Sequence, residues 1–226
     1  MDLYKRVRKL PFLQPFNYSG IWIELPGQFH ICLCYLLCLG AMVEGSGLDT
    51  AWVEANIYSN VTAIQILNGK HYKRAIECHI ITIEALSDLW WDAFFERYPE
   101  TLVAVKDNLK NLGSDVKREI GIAEAYQELV DKDEVFFSNL DQKIKELDAS
   151  NGNRTMYKWI KMYKHQVEIL LQFLRSTRQR DWALHLSSLE EMCIYLFSFN
   201  RLEYAMHIPE FLARMYSLQQ TNPEVW

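Results

Sequence analysis

Residues 29–43, FHICLCYLLCLGAMV, are apolar except for His30. The stretch has fifteen residues, fewer than the about 20 that a helix needs to cross the hydrocarbon core of a bilayer. Glu24, Gln28 and Glu44 flank it on both sides. A helix that is apolar on all sides is typical of the centre of a globular protein. We therefore predict a buried core helix here and no membrane span.

The composition of the chain favours a folded, helical protein. Half of its 226 residues are hydrophobic, and it has only 9 glycines and 6 prolines. A disordered chain and a turn-rich all-β protein both fit these values poorly. We predict a mainly α fold of about eight to nine helices in a single domain, residues 1–226. In this domain, residues 1–27 hold a short helix and one strand, and residues 28–226 form the helical body.

The N-terminal segment contains both of these predicted elements. Apolar residues recur at helical spacing within residues 1–10, and Pro11 then prevents the helix from continuing. Residues 20–25, GIWIEL, are rich in β-branched and aromatic side chains, and Pro26 and Gly27 follow them. This pattern predicts one short strand.

Local signals also predict helix boundaries further along the chain. Ser46 followed by Asp49 has the spacing of a capping box, which predicts that the next helix starts there and runs through Ile57. Helix-ending or helix-interrupting residues are predicted at Pro99, Gly113 and Pro209.

The cysteines indicate a reducing environment. Five cysteines occur, an odd number, and three of them lie within the apolar stretch 29–43. This distribution is unlike a disulfide framework and predicts reduced, buried thiols. Because the N-terminal residues also lack the pattern of a secretory signal, we expect an intracellular location, nuclear or cytoplasmic.

A group of cysteine and histidine side chains has the chemistry of a zinc site. His30, Cys34 and Cys38 recur at every fourth position, so a helix would place them on one face. Cys78 and His79 could supply further sulfur and nitrogen ligands for a tetrahedral zinc ion. One alternative is that these residues fill core space, because cysteine is among the most buried residue types. Another is a nucleophilic pair of cysteine and histidine.

A basic and aromatic segment is a candidate nucleic-acid interface. Tyr157, Trp159 and Tyr163 are suited to base stacking. The basic side chains that the segment offers to phosphate groups are Arg154, Lys158, Lys161, Arg175, Arg178 and Arg180. Since the net charge is −5, any attraction to nucleic acid depends on this local face. The alternative is an amphipathic helix with aromatic residues in the core and lysines in solvent.

Five sequence blocks, taken in order, carry a family resemblance. They follow Leu3 and Tyr4 and are IWIELPGQFHI (21–31), YLLCLGAMVEGSGL (35–48), NGKHYKRAIECH (68–79), RQRDWALHLSSLEEMCIYLF (178–197) and NPEVW (222–226). In order and spacing they resemble a widespread family of large, uncharacterised animal proteins derived from mobile elements. Gln28 stands where that family usually has glycine. The resemblance spans nearly the whole chain.

The resemblance implies a place within a larger, transposase-like protein. In transposases with an RNase H-like core, carboxylates hold two metal ions, and several insert a helical domain before the last carboxylate. By analogy at fold level, strand 20–25 would lead into such an insertion, with the catalytic carboxylates outside residues 1–226.

Our leading hypothesis is a non-catalytic helical domain without a cofactor. It would bind other parts of a larger protein, a partner protein or nucleic acid. One alternative is an enzyme of the nuclease or transposase type that needs magnesium. The other is a binding module stabilised by zinc.

Overall fold

The computed structural model describes residues 27–116, 130–131 and 133–221. These residues form nine helices and contain no strand. The prediction of a mainly α fold is therefore confirmed. The predicted first helix, residues 1–10, and the predicted strand, residues 20–25, lie outside the described residues.

The helices follow one another with short connections. In chain order they are α1 (Gln28–Val43), α2 (Leu48–Glu54), α3 (Asn60–Leu67), α4 (Tyr72–Arg97), α5 (Pro99–Val116), α6 (Glu134–Asn151), α7 (Thr155–Gln179), α8 (Trp182–Ser198) and α9 (Leu202–Thr221).

The described residues group into two compact units. The first contains α1, α2, α3, the start of α4 up to Ile80, α7 from Tyr163, α8 and α9. The second contains α4 from Ile81, α5, α6 and α7 up to Met162. The assignment of residues 1–226 to one domain stays a prediction.

Helix α1 lies in the core of the first unit and packs against α3 and α8. Ile31, Tyr35, Leu36, Leu39 and Val43 have no exposed surface, which confirms the predicted buried helix. Among the described helices, none by itself is long and apolar enough to cross a membrane. Helices α1 and α2 pass that test only as a pair, with a bend of 90° between them.

Helices α1 and α3 approach each other closely at Gly40. A Cβ atom at this position would overlap the carbonyl oxygen of Leu67 and lie 2.8 Å from its carbonyl carbon. Gly69, just after α3, has a φ of 68°, and a Cβ atom there would lie 2.9 Å from Cγ of Leu37. Because only glycine lacks a Cβ atom, both positions depend on it.

The start of α2 differs from the predicted capping box. The N-cap residue is Gly47, with a φ of 86°, and it makes no side-chain cap. The hydroxyl of Ser46 instead accepts a hydrogen bond from the backbone N–H of Leu48 at 3.3 Å. The turn requires a left-handed conformation immediately before the helix, which glycine adopts without steric cost.

The chain between α2 and α4 also differs from the prediction. Helix α2 ends at Glu54 instead of running through Ile57. Helix α3, which the sequence pattern did not predict, begins after Ser59, whose hydroxyl accepts a hydrogen bond from the backbone N–H of Thr62 at 3.3 Å. A serine N-cap is a usable signal for such a helix, but α3 has only eight residues and a short apolar pattern.

Of the three predicted helix ends, one is confirmed and two are wrong. Helix α4 ends at Arg97, and Pro99 starts α5, where proline loses no helical hydrogen bond. Helix α5 continues past Gly113, since one glycine inside a helix costs only about 1 kcal/mol. Helix α9 continues through Pro209. The residues around Pro209 are buried against α8, and this packing offsets the missing hydrogen bond.

Candidate protein-interaction surface

Helices α8 and α9 form a hairpin that is closed by a tight turn. The carboxylate of Asp181 caps α8 by accepting the backbone N–H of Leu184 at 3.0 Å. In the turn, Asn200 has a φ of 58°, and the N–H of Arg201 donates to the carbonyl of Leu196 at 2.7 Å. Asparagine is one of the few residues that adopt this left-handed conformation readily. The chain therefore reverses, and α9 packs along α8.

Each helix of the hairpin buries one apolar face in the first unit. The buried side chains are Leu186, Leu189, Met192 and Leu196 on α8, and Ile208, Phe211, Leu212 and Met215 on α9. Because a helix has one stripe of residues facing the core, the opposite stripes of α8 and α9 face outward.

The outward stripes carry large apolar side chains near the turn. Ile194 is 66% exposed and Phe197 68% exposed, three residues apart on α8. Leu202 is 49% exposed and Met206 64% exposed, four residues apart on α9. Single exposed apolar residues are ordinary, but several together mark an interaction site. We name these four residues the α8–α9 surface.

One hydrogen bond shows that the outward stripes of the two helices lie on the same side of the hairpin. The hydroxyl of Tyr216 on α9 donates to the carboxylate of Glu190 on α8 at 3.0 Å, and both side chains are exposed. Glu190 lies one helical turn before Ile194 and on the same stripe. The apolar residues of α8 and α9 therefore belong to one continuous surface.

The charged residues around this surface are mainly acidic. Glu190 and Glu203 are exposed at its borders. Arg214 forms an ion pair with Glu210 at 3.1 Å, which balances both charges. The other arginine of the hairpin, Arg201, lies near the thiol of Cys38 on α1.

The charge of Arg201 affects the pKa of two buried thiols on α1, those of Cys34 and Cys38. Burial raises the pKa of both thiols, that of Cys38 to about 12, and the charge of Arg201 opposes this shift. Arg201 is half-buried, its Nε atom is out of contact with solvent, and its guanidinium lies close to the buried thiols of α1. Glu203 acts on the thiol of Cys34 in the opposite sense and raises its pKa. Because Glu190 and Glu203 are more exposed than Arg201, the solvent-facing border of the α8–α9 surface is negative.

The predicted zinc ligands are not assembled into one cluster. Within residues 27–116, 130–131 and 133–221, no group of three or more His, Cys, Asp or Glu side chains is placed to hold a metal ion. His30 is exposed, whereas Cys34, Cys38 and Cys78 are buried. Burial raises the pKa of Cys78 to about 12, so its thiol is protonated at neutral pH. The zinc-stabilised module stays a prediction.

The fifth predicted ligand, His79, is part of the core of the first unit. Its Nδ1 atom shares a hydrogen bond of 2.7 Å with the hydroxyl of Tyr163, and its ring meets the ring of Trp52 edge to face. The side chain has no exposed surface, and Nε2 has no hydrogen-bond partner. Burial lowers the pKa of His79 to about 4, so the ring is neutral at pH 7.

Three of the predicted nucleic-acid contacts lie in the second unit, and one of them is already paired. The ammonium group of Lys161 contacts the carboxylate of Asp148 at 2.6 Å, and Tyr157 donates a hydrogen bond to the same carboxylate. Partial burial acts to raise the pKa of Asp148, but the hydrogen bonds from Lys161 and Tyr157 and the charge of Lys161 together outweigh it, so the pKa is lowered. Arg154 and Lys158 are exposed and keep their charges available.

The other three predicted contacts lie in the first unit at the end of α7. Arg175, Arg178 and Arg180 are all exposed. The guanidinium of Arg175 donates to the side-chain oxygen of Gln179 at 2.9 Å. Arg180 has a φ of 58° and ends the helix. Basic side chains at a helix C-terminus also interact favourably with the helix dipole, so their positions have a structural explanation as well.

Sequence reasoning did not single out the α8–α9 surface. Ile194 and Phe197 lie in the run CIYLF, residues 193–197, in which every residue is apolar. A run of this kind has no periodic signal that separates the buried from the exposed members. The sequence therefore predicts a helix here but not which of its apolar side chains are exposed.

Comparison with known families places the chain in a family defined by sequence. A family described as a domain of unknown function, DUF8702, matches residues 3–226. The chain belongs to this family. Neither the comparison with curated proteins nor that with solved structures gives a match.

Proposed function

We propose that this chain is a non-catalytic helical domain that binds a partner protein through the α8–α9 surface. The observation that carries the proposal is the exposure of Ile194, Phe197, Leu202 and Met206 around one turn. Fully burying a side chain of this size contributes about 1.5–3 kcal/mol, so a partner that covered all four would gain substantial binding energy.

The state of the nucleophile and base candidates supports a role without catalysis. A catalytic cysteine needs a lowered pKa, whereas burial raises the pKa of Cys38 and Cys78 to about 12. The pKa of His79 is lowered to about 4, too far from neutral pH for efficient general base catalysis.

Oxidation of methionine tests whether the α8–α9 surface is covered in its native setting. Met206 and Met156 are 64% and 62% exposed, so both should react equally with hydroxyl radicals or peroxide in the purified chain. In an extract of cells that express the protein, we expect at least about threefold slower oxidation of Met206 and no change for Met156, because a partner removes Met206 from water. Mass spectrometry of tryptic peptides gives both rates.

The variant Phe197→Ser provides the control for this experiment. Since Phe197 is exposed, its replacement should change stability by less than about 0.5 kcal/mol. Protection of Met206 should be lost in this variant if the partner contacts Phe197. Equal rates for Met206 and Met156 in the extract would contradict the proposal.

Nucleic-acid binding through Arg154 and Lys158 is a second proposal, supported by their exposed charges. The double variant Arg154→Glu/Lys158→Glu should bind a 20-base DNA strand at least about tenfold more weakly at low salt. The slope of log K against log salt should fall by about 1 for each lost phosphate contact.

Lys161→Ala should change affinity less, because Asp148 already neutralises Lys161. Lys106→Glu/Lys110→Glu, at two exposed positions of α5, is the charge-matched control, because it changes the net charge by the same amount. Unchanged affinity in Arg154→Glu/Lys158→Glu would contradict the assignment.

The five sequence blocks support two further proposals. We propose that the chain is part of a mobile-element-derived protein, and that it acts inside the cell, where its five free cysteines stay reduced. The magnesium-dependent nuclease, like the zinc module, stays a prediction from the sequence.

A further inference from the structure

We infer that the partner segment at the α8–α9 surface is an amphipathic helix with lysine or arginine beside its apolar stripe. This inference rests on the proposed function and adds the chemical class of the partner. Three features of the hairpin carry it, namely the spacing of the apolar residues, the continuity of the surface and the charge of its border.

The spacing of the apolar side chains fits a third helix. Ile194 and Phe197 are separated by three residues, and Leu202 and Met206 by four, so each pair spans about one helical turn. The apolar stripe of an amphipathic helix repeats at the same intervals, and helices of this kind bind other helices through such anchors. An extended strand would need an open sheet edge, and the described residues contain no strand.

The continuity of the surface allows one segment to contact both helices. The hydrogen bond between Tyr216 and Glu190 fixes the outward stripes of α8 and α9 on one side of the hairpin. A segment laid over this side would meet Phe197 and Met206 together, since both flank the turn at Asn200. Large apolar anchors contributed by two elements are typical of the centre of a protein interface.

The charge of the border selects the partner. Glu190 and Glu203 lie beside the apolar residues, while Arg214 is paired and Arg201 faces α1. A partner with lysine or arginine beside its apolar stripe would therefore be attracted. Phosphate groups of nucleic acid and anionic lipid headgroups would be repelled by the same carboxylates.

Two designed peptides test the charge of the partner. Both have about 18 residues with the same leucine stripe, and they differ only in lysine or glutamate beside it. Fluorescence anisotropy at low salt should show that the full chain binds the lysine peptide about tenfold more tightly than the glutamate peptide. The double variant Glu190→Lys/Glu203→Lys should reverse this preference. The variant Glu84→Lys/Glu96→Lys, which changes exposed carboxylates on α4, should keep the wild-type preference.

Each result either supports or overturns the inference. Equal binding of both peptides, abolished by Ile194→Ser/Phe197→Ser, would overturn the basic partner while leaving the interaction surface intact. Peptide binding that is unaffected by Ile194→Ser/Phe197→Ser would overturn the surface itself.

The same protein samples test two other occupants of the α8–α9 surface, a second copy of the chain and a membrane. Self-association in sedimentation, lost in Phe197→Ser, would identify a second copy of the chain as the occupant and overturn the inference. Binding to vesicles of phosphatidylglycerol that depends on Phe197 would overturn it in favour of a membrane.

Discussion

Replacing Gly40 with alanine is expected to lower the free energy of unfolding by roughly 3 kcal/mol or more, the upper range for overpacking a core. The added methyl group would overlap the carbonyl oxygen of Leu67, and both atoms belong to rigid helical backbone. The clash cannot be relieved by rotating a side chain, so α1 and α3 must separate. Urea denaturation followed by circular dichroism measures the loss.

A second glycine of the same region gives the matched control. A Cβ atom at Gly27 would lie 3.4 Å from the His30 side chain, an ordinary contact, and the backbone there has a φ of −60°. Gly27→Ala should therefore cost less than about 1 kcal/mol. A similar small loss in Gly40→Ala would show that α1 and α3 are not in close contact at this point.

Acidification is expected to destabilise the protein through His79. Its pKa falls from the ordinary value of 6.5 to about 4 in the folded chain. Between these values the unfolded chain binds a proton that the folded chain does not, so stability falls as pH decreases through this range. The contribution lost is about 2 kcal/mol by pH 5 and roughly 3 kcal/mol by pH 4.

The variant His79→Gln isolates this contribution. Glutamine does not titrate, so the loss of stability between pH 7.5 and pH 5 should be smaller in the variant by about 2 kcal/mol. His185, whose pKa burial also lowers, stays in both proteins and cancels in the comparison.

A proton NMR titration of the native chain checks the prediction without any variant. The imidazole resonance of His79 should have its midpoint near pH 4. A midpoint near 6.5 would contradict the buried, neutral ring.

The buried helix α1 is the part of the fold that could be predicted most directly. Fifteen nearly continuous apolar residues leave no polar face for solvent, so its central position follows from hydropathy alone. Pro99 was equally informative, because proline at the first helical position acts through local backbone geometry. Pro209 was misleading, since its effect on α9 is decided by burial of the neighbouring side chains against α8.

The sequence pattern does not fully predict which face of α4 is buried. The sequence pattern favours a stripe that includes Ile76, Ile80, Ile83 and Phe94. Phe94 is fully buried, whereas the three isoleucines are only half-buried. The adjacent stripe through Ala75 and Cys78 is buried. A long helix with many apolar residues offers two neighbouring stripes, and the packing partners select between them.

The candidate site was less predictable than the fold. Residue types predicted a basic group around Lys161 and a ligand group around Cys38, but the ligand group is not assembled among the described residues, and the pairing of Asp148 with Lys161 was not predicted. They also did not reveal that Ile194 and Phe197 face outward, because an entirely apolar run has no periodicity.

By itself, the sequence determined a helical chain with a buried helix at residues 29–43 and a helix boundary at Pro99, because these features depend on hydropathy and on local backbone geometry. Only the tertiary structure decided the exposure of the α8–α9 surface and the low pKa of His79. Exposure and pKa depend on which distant residues surround a side chain, and that is fixed by packing between helices, not by neighbours in the chain.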